Sequence, residues 1–518
     1  MAQGICGRDE PLLKFRRNSE TAEGKVAAVV QRNIHSLPDE IMVNIFSSLS
    51  FNDLIDTVEN VCERWKRLAH DSVLWLDKEY VVTGMLHRKS CCRDVCSKCI
   101  HRRWEETDED ILRTAGMTPQ LRTLKLMCNI RACILRKICA EWPNLTTLEI
   151  ADNQRMNYSL LKFIFEKCPK IRTLTASVSL LANRRYVEML SSLEQLSCLR
   201  VHEHFCKERP IQLRVLADTC PRLEAIHIQR TCYEVADMEY FLKTKKHSLT
   251  SATLPWLMVE NEELRCIVPL LKQCDTSLRK LRLANFDMPV YMPANMEAAV
   301  FQSLGELHSL LELYAPGVNP HSSRMFSLVF RPGCLTQLRR LQLQYAFNLR
   351  NETVVTISQG CPNLRELRLK DSREITDLAL REIHRLKYLE ILELSGCNGL
   401  GASAIFHIAQ LPSLHTLVLQ EIEDLTELLP SLRHIVDIKE LQCLDFLKSC
   451  NFEAVPIWEF PGRLLKLREL HVTYEDEKVL TELQHKMPRL KVINTFGLKY
   501  EYSSDEQLDD DDDGVLEG

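Results

Sequence analysis

The sequence contains no long apolar segment. No run approaches the roughly 18 consecutive apolar residues that a membrane-spanning helix requires. The segment from Met1 to Phe15 carries charges where a secretory signal peptide needs an apolar stretch. These absences argue against a membrane partner and against export, and we expect the protein in the cytoplasm, in the nucleus or in both.

Catalytic signatures are also missing. The chain contains no G-x-x-x-x-G-K-[ST], no G-x-S-x-G and no H-E-x-x-H. These absences argue against a phosphate-binding loop, a nucleophile elbow and a zinc-protease helix. The histidines are scattered, and none is visibly paired with a nucleophile and a carboxylate. We therefore expect a protein that is not an enzyme and needs no cofactor.

Length and charge indicate a modular protein. With 518 residues the chain exceeds a single compact core, so several domains or a repeat array are expected. Net charge is −5, but residues 501–518 carry nine acidic side chains and no Lys or Arg. The rest of the chain is therefore mildly basic, and neither value requires a nucleic-acid partner.

Both ends of the chain are predicted to be disordered, over residues 1–33 and 499–518. The C-terminal end is an acidic tail with too few apolar residues for a core, and we interpret it as solubilising. Ser503 and Ser504 stand just ahead of acidic residues, as sites of acid-directed phosphorylation do. A second interpretation makes the tail an internal competitor for the basic strip described below.

Leucine repeats cover most of the chain. The pattern L-x-x-L-x-L begins at Leu338, Leu364, Leu389 and Leu414, with steps of 26, 25 and 25 residues. Comparable units begin at Leu121, Leu145, Ile171, Leu196, Leu223, Leu249, Leu278, Leu310, Leu441, Leu467 and Leu490. Most steps fall within the roughly 20–29 residues of a leucine-rich repeat.

The repeat pattern predicts an α/β fold. Alternate side chains of a strand face opposite sides, so the fourth and sixth positions of the pattern point into one core. The residues that follow have helical spacing of apolar positions, and Thr376 is predicted to cap one such helix. We therefore expect a curved solenoid over residues 117–498, with one strand and one helix per repeat and the strands on the concave side.

A compact helical motif precedes the repeats at residues 34–80. Leu37-Pro38 opens its first helix, where a proline lacks only an N–H that would be unpaired anyway. Ile41, Ile45 and Phe46 continue an apolar stripe at helical spacing. About 40 residues in three short helices form a small core, which usually completes itself against a partner.

This motif closely resembles an F-box. The matching residues are Leu37, Pro38, Ile41, Ile45, Phe46, Leu49, Leu54, Val61, Cys62, Trp65, Leu68 and Trp75. Cys361-Pro362-Asn363-Leu364, and the junctions Cys168-Pro169 and Cys220-Pro221, resemble the cysteine-containing repeat subtype known from F-box proteins. Together these features are similar to the F-box/leucine-rich-repeat family.

The resemblance implies a substrate-recognition subunit of an SCF-type ubiquitin ligase. The twelve matching residues would dock the Skp adaptor and, through it, a cullin–RING scaffold, while the solenoid captures a protein substrate. Two features depart from the family pattern: the spacing from Leu54 to Cys62 is about one residue longer, and Glu59-Asn60 occupy positions that are usually small or apolar. The alternatives are an unrelated helical cap and a binding scaffold of the ribonuclease-inhibitor type with no ligase role.

Cysteines are abundant, with 21 in the chain. Without an export signal they are expected to remain mostly thiols, and those at repeating positions suit small buried apolar groups.

Residues 81–116 form a Cys-rich junction. Its spacings are compatible with zinc ligands at Cys92, Cys96, Cys99 and His101, with His87 nearby. A second separated ligand pair is missing, so we predict ordinary thiols and no metal site there, with a metal- or redox-sensing adaptor as an alternative.

A candidate substrate surface lies on the outward-facing positions of the central strands. Its residues are Lys280, Arg282, Tyr314, Arg340, Gln342, Arg368 and Lys370, with Glu312 and Glu366 between them. We call this set the basic strip and hypothesise that it contacts an acidic or phosphorylated substrate segment. A solvated face of mixed charge is the alternative.

Tyr291 is a second candidate substrate contact. It lies in a Pro-containing insertion between Leu278 and Leu310, and an insertion that is merely tolerated is the alternative interpretation.

Overall fold

The computed structural model describes most of the repeats and the N-terminal motif. The described residues are 34, 37–82, 107–151, 156–201, 210–228, 233–255, 257–260, 263–283, 294–317, 320–422, 427–449 and 455–496. The Cys-rich cluster, Tyr291 and both predicted disordered ends lie outside this set. Within it, no helix is long and apolar enough to cross a membrane.

One parallel sheet organises the described part of the chain. Its sixteen strands are hydrogen-bonded in chain order, every neighbouring pair being parallel. They are β1 Glu79–Val82, β2 Thr123–Leu126, β3 Thr147–Ile150, β4 Thr173–Ala176, β5 Cys198–Val201, β6 Ala225–His227, β7 Ser251–Leu254, β10 Lys280–Leu283, β11 Glu312–Tyr314, β12 Arg340–Gln344, β13 Glu366–Lys370, β14 Ile391–Glu393, β15 Thr416–Val418, β16 Cys443–Asp445, β17 Glu469–Val472 and β18 Lys491–Asn494.

Each predicted repeat supplies one strand. From Leu121 to Leu467 every strand of the parallel sheet begins two residues after the first apolar residue of its repeat. The fourth-position leucines pair with one another in register, as Leu341 with Leu367 and Leu367 with Leu392, and all three are fully buried. The predicted α/β solenoid is therefore confirmed, and its leucines form a stacked ladder through the core.

Helices alternate with the strands and pack against the helices of adjacent repeats. They are α1 Asp39–Ser47, α2 Glu63–Ala69, α3 Asp108–Met117, α4 Ala132–Glu141, α5 Tyr158–Lys167, α6 Val178–Leu181, α7 Arg184–Met189, α8 Leu213–Thr219, α9 Val235–Lys245, α10 Val268–Leu271, α11 Ala294–Gly305, α12 Arg324–Phe330, α13 Asn351–Gly360, α14 Asp377–Leu380, α15 Ala404–Ile408, α16 Leu429–Leu432 and α17 Glu477–Lys486. The Thr376 hydroxyl accepts a hydrogen bond from the Leu378 N–H, which confirms the predicted cap of α14.

Short 3₁₀ or π turns occur in the N-terminal motif and complete several repeats. They are Asp53–Thr57, Val58–Asn60, Ser72–Trp75, Leu190–Ser192, Lys272–Cys274, Ile383–Arg385, Arg433–Asp437 and Ile457–Glu459. The repeats thus reach their periods of about 25 residues with either a full helix or a single helical turn opposite the strand.

Two strand features were not predicted. The sheet begins at β1, which pairs with β2 ahead of the predicted solenoid start at residue 117. The β1 segment Glu-Tyr-Val-Val contains no leucine, so the repeat pattern does not detect it. In addition, β8 Leu257–Glu260 and β9 Glu263–Cys266 form an antiparallel hairpin within the 29-residue step from Leu249 to Leu278. That step is long enough to hold an inserted hairpin.

Repeating cysteines fill the core as predicted. Cys168, Cys220 and Cys361 are buried at the ends of helices that precede their strands. Burial raises the pKa of the Cys361 thiol to about 12, so this thiol stays protonated at neutral pH. The cysteines in the described ranges are all free, and the buried ones pack as small apolar groups, whereas Cys62 and Cys133 are exposed.

Residues just after the central strands adopt a left-handed conformation. Tyr345, Asp371, Glu421 and Lys448 have φ between 55° and 59°, and Gly396 occupies the equivalent position with φ of 66°. Such conformations cost a non-glycine residue roughly 1–2 kcal/mol. Backbone hydrogen bonds to the next repeat hold them, including Tyr345 N–H to Lys370 O and Asp371 N–H to Ser395 O.

Candidate protein-interaction surfaces

The N-terminal motif has its own aromatic core. Phe46 of α1 and Trp65 of α2 meet edge-on, with ring centroids 5.1 Å apart. Trp75 is fully buried, and its indole N–H donates to the carbonyl of Ala69 at 3.1 Å. Met42, also fully buried, lies one turn before Phe46. Packing of α1 on α2 therefore depends on a few large side chains.

An ion-pair cluster also joins α1 and α2. The Asp39 carboxylate lies 2.6 Å from the Arg64 guanidinium and 2.7 Å from that of Arg67. The hydrogen bond from Arg64 is the main cause of the lowered pKa of Asp39. Because this cluster is partly solvent-exposed, it orients the two helices more than it stabilises them.

The structure accounts for both departures from the family pattern. The longer segment between Leu54 and Cys62 contains a π-helical turn at Asp53–Thr57, the form in which a helix accommodates an added residue. Glu59 is largely buried and lies 3.2 Å from the Arg113 guanidinium of α3. A charged residue at position 59 therefore contacts α3, the helix that precedes the first repeat.

Aromatic packing continues from the N-terminal motif into the repeats. Phe51 stacks on Tyr80 of β1 with ring centroids 5.2 Å apart, and Tyr80 meets Trp142 edge-on at 5.9 Å. Lys78 also donates to the carbonyl of Ser47 at 2.9 Å. A single hydrophobic cluster runs from Met42 to Leu490. The motif and the solenoid therefore share one core, which fixes the direction in which each presents its surface.

The twelve predicted adaptor residues fall into three groups. Those in the core are Phe46, Leu54, Leu68 and Trp75. Those half-buried against it are Leu37, Leu49 and Trp65. Those exposed are Pro38, Ile41, Ile45, Val61 and Cys62. The sequence interpretation therefore combined residues that build the motif with residues that form its surface.

Exposed apolar side chains mark the surface of the motif. Ile41, Ile45 and Val61 are 46%, 38% and 47% exposed. Ile41 and Ile45 are four residues apart and so lie on the same side of α1. The stripe inferred from sequence omitted Met42, although Met42 and Phe46 share the same spacing and are the pair that α1 buries. The buried face of α1 is therefore formed by Met42 and Phe46, and Ile41 and Ile45 lie on its exposed face.

The structure brings the basic strip together on β10 to β13. Arg282, Tyr314, Gln342 and Arg368 are successive register partners in one row across these strands. In the parallel row, Lys280 pairs with Glu312, Glu312 with Arg340, and Arg340 with Glu366. Lys370 lies at the end of β13. The predicted outward-facing positions therefore form one continuous surface.

Acidic side chains lie between the cations of this surface. Glu312 lies 3.0 Å from Lys280 and 3.2 Å from Arg340. The Arg282 guanidinium sits 4.1 Å from the Tyr314 ring centroid, in cation–π geometry.

Two further carboxylates come from the following repeats. Glu393 accepts from Arg368 at 2.8 Å, and Glu421 lies 3.3 Å from Lys370. Burial alone would lower the pKa of Arg368, but its hydrogen bonds to Glu366 and Glu393 raise it, so Arg368 stays charged. The strip thus has five cations and four carboxylates in contact with them. An acidic ligand would have to replace these carboxylates as the partner of the cations.

The family model and the sequence relative agree with the N-terminal motif and the repeats. Residues 34–77 match the family model described as F-box-like. An Arabidopsis thaliana protein whose name describes it as an F-box/LRR-repeat protein is 27% identical over 235 residues, which is 40% of this chain and 76% of the plant protein. A chain of the yeast Rad7–Elc1 crystal structure superimposes with a TM-score of 0.43 at 16% identity, covering 74% of this chain and 83% of that one.

Proposed function

We propose that the chain is the substrate-recognition subunit of an SCF-type ubiquitin ligase, because residues 34–77 match an F-box-like model and leucine-rich repeats follow them. The F-box would dock a Skp adaptor and, through it, a cullin–RING scaffold, while the solenoid captures a protein substrate. The chain itself would do no chemistry. It would supply proximity and orientation for ubiquitin transfer by its partners.

The exposed apolar side chains of α1 carry the proposal for adaptor docking. Ile41 and Ile45 remain 46% and 38% exposed although the helix already buries Met42 and Phe46. Complete burial of such a side chain is worth about 1.5–3 kcal/mol, so two of them contribute substantially to a protein interface. Val61 adds a third exposed apolar side chain just before α2.

Co-purification with a Skp adaptor tests this half of the proposal. The variant Ile41→Glu/Ile45→Glu is expected to lose the adaptor while keeping the wild-type circular dichroism spectrum, because neither side chain belongs to the core. The matched control is Trp458→Glu/Leu465→Glu, which places the same charges on exposed apolar residues of the solenoid, 66% and 74% exposed. Adaptor retained equally by both variants would refute docking through α1.

We further propose that the substrate binds the strand face at the basic strip through an acidic or phosphorylated segment. Such a segment would replace internal carboxylates such as Glu312, which exchanges one anion for another at little desolvation cost. Arg is well suited to this because its planar fork binds carboxylate and phosphate in a bidentate manner.

Charge reversal tests substrate capture. We would identify proteins whose ubiquitination depends on this chain and on its Ile41/Ile45 surface, and then measure their binding to Lys280→Glu/Arg282→Glu. These two residues are exposed, so folding should be preserved. The control is Arg184→Glu/Arg185→Glu on α7, two exposed Arg residues away from the strand face. Unchanged capture by the strand-face variant would exclude the strip.

A binding scaffold without a ligase role is the alternative function. It would use the same repeats and would have no need for the exposed residues Ile41 and Ile45. Wild-type protein that retains no adaptor under any condition, while still binding a protein ligand on its solenoid, would support this alternative.

A further inference from the structure

A second cluster of chemically active side chains lies on the strand face, outside the basic strip. Strands β16 and β17 bring Cys443 beside Glu469 and Asp445 beside His471 in parallel register. All four residues occupy the third or fifth position of their repeats, so their side chains point to the same side of the sheet. Neither the F-box nor the proposed substrate strip uses them.

Three of these residues have metal-ligand geometry. The Cys443 thiol, a Glu469 carboxylate oxygen and a His471 ring nitrogen all lie within 4.8 Å of one another. His471 Nε2 is 3.5 Å from Glu469 Oε2. Ligands bonded to a tetrahedral zinc ion at about 2.0–2.3 Å are roughly 3.3–3.7 Å apart, so small side-chain rotations would complete the site.

The fourth residue orients the histidine ring. Asp445 is 5% exposed, and its Oδ2 lies 3.2 Å from His471 Nδ1. Gln420 donates to Asp445 Oδ2 at 2.6 Å, and the Leu447 N–H donates to Oδ1 at 2.9 Å. This fixed carboxylate favours a proton on Nδ1 and leaves the Nε2 lone pair for a ligand, as in carboxylate–histidine–zinc arrangements.

The buried nitrogen lacks a good partner within the protein. His471 Nε2 is shielded from solvent and makes no hydrogen bond of good geometry, the Glu469 oxygen at 3.5 Å being too distant. Buried polar atoms are normally paired, so a ligand bound at Nε2 would satisfy this atom. A simple ion pair between a protonated His471 and the two carboxylates is the competing interpretation.

We propose that Cys443, Glu469 and His471 bind one Zn²⁺ ion, with Asp445 as the residue that positions His471. Ligation releases the Cys443 thiol proton to solvent, and the resulting thiolate forms the Zn–S bond. Three protein ligands leave a fourth tetrahedral position. Because the Glu469 side chain is 48% exposed, that position faces the open side of the sheet, where water or a side chain of a bound protein can occupy it.

The chemistry of the cluster also favours a cation. A bound divalent cation would neutralise the Glu469 and Asp445 carboxylates and stabilise the Cys443 thiolate. The residue types, including soft sulfur and imidazole, suit zinc better than magnesium or calcium.

Cobalt substitution of the full-length protein provides the test. Co²⁺ titration should produce a thiolate-to-metal absorption band that saturates with one equivalent assigned to this site, and Zn²⁺ should displace it. Cys443→Ser is expected to remove that band, and His471→Gln to remove one equivalent of tight metal. Asp445→Asn should weaken Zn²⁺ binding about 10- to 100-fold, as expected for a residue that acts through a ligand.

Two control variants make the result specific. Cys198→Ser changes a partly exposed cysteine at the same repeat position on β5, where the register partner is Ala225, so it should leave cobalt binding unchanged. Cys92→Ser/Cys96→Ser/Cys99→Ser removes any metal held by the Cys-rich junction and should leave the Cys443-dependent band intact. A wild-type protein without that band, or a Cys443→Ser protein that keeps it, would overturn the proposal.

Discussion

The surface of the F-box and the strand face of the solenoid differ in chemistry. The F-box leaves apolar side chains such as Ile41, Ile45 and Val61 exposed to water. The strand face instead presents cations that contact carboxylates within the same chain, as Arg340 contacts Glu312 and Glu366. Covering the F-box surface with any matching apolar surface lowers the free energy of the complex. Binding at the strand face is favourable only when a ligand replaces carboxylate partners that are already present.

Under the proposed function, this difference would decide how each surface selects its partner. An apolar surface on a rigidly attached motif suits a constant partner, because it gives affinity without a demanding charge pattern. An internally paired polar face suits discrimination, since an incorrect ligand leaves charges without compensation. If the proposed function holds, one chain combines an affinity surface and a specificity surface on one continuous core.

The largest effect should separate the two roles of F-box residues. Trp75→Ala removes a fully buried indole that donates to Ala69 O, and we expect a loss of about 3–5 kcal/mol in the free energy of unfolding. Ile41→Ala, at an exposed position, should cost less than about 1 kcal/mol. Urea denaturation of both variants measures the contrast. Equal losses would mean that the buried and exposed groups are not distinct.

A smaller loss is expected at a turn that borders the strand face. Gly396 has φ of 66°, and an added Cβ would lie 2.6 Å from Asp371 Oδ1. Gly396→Ala should therefore cost about 1–3 kcal/mol, from backbone strain and from the displaced Asp371 side chain. Gly462→Ala is the control, because Gly462 has φ of 83° and no atom near the added Cβ. If thermal unfolding shows the same loss of stability in both variants, the whole loss comes from the left-handed φ and none from contact with Asp371.

Much of this fold was predictable because the repeat pattern is redundant. A strand placed two residues after Leu338 is supported by the equivalent strands after Leu364 and Leu389. The non-repeating features had no such support. Strand β1 was missed because Glu79–Val82 contains no leucine, and its position depends on hydrogen bonding to β2. Pairing between strands 44 residues apart in the chain is not encoded in either segment alone.

The surfaces were less predictable than the core. The sequence gives the residues of the basic strip but not their partners, and Glu393 and Glu421 join it only because repeats stack in register. The predicted apolar stripe of α1 contains Ile41, Ile45, Phe46 and Leu49, but the helix buries Met42 together with Phe46 and leaves Ile41 and Ile45 exposed. Because α1 is short and has apolar residues on two sides, its sequence alone does not determine which side is buried, and packing against α2 decides it. The cluster of Cys443, Glu469 and His471 likewise requires strand register to become visible.

A pH-dependent effect should distinguish the strand face from the F-box. His227 is a register partner of Arg200 and Thr253 on this face, and burial, with Arg200 and Arg282, lowers its pKa to about 4. The unfolded chain binds this proton near pH 6.5, so the folded state loses relative stability as pH falls from about 7 toward 4. Since His227 is partly exposed, we expect about 1 kcal/mol by pH 5. His227→Gln should lose less stability than wild type over that range, and parallel pH profiles would contradict the assignment.

The smallest effect should come from a single charge of the strip. The Arg340 side chain is 57% exposed while it bridges Glu312 and Glu366, so Arg340→Gln should change the free energy of unfolding by less than about 1 kcal/mol. Raising NaCl to about 1 M shortens the screening length to roughly 3 Å and should erase that difference. Adaptor retention by the apolar surface of α1 should persist at the same salt concentration, because burial of apolar area is not screened. Loss of the adaptor in high salt, measured beside the Arg340→Gln variant, would show that charge, and not apolar area, holds the F-box to its partner.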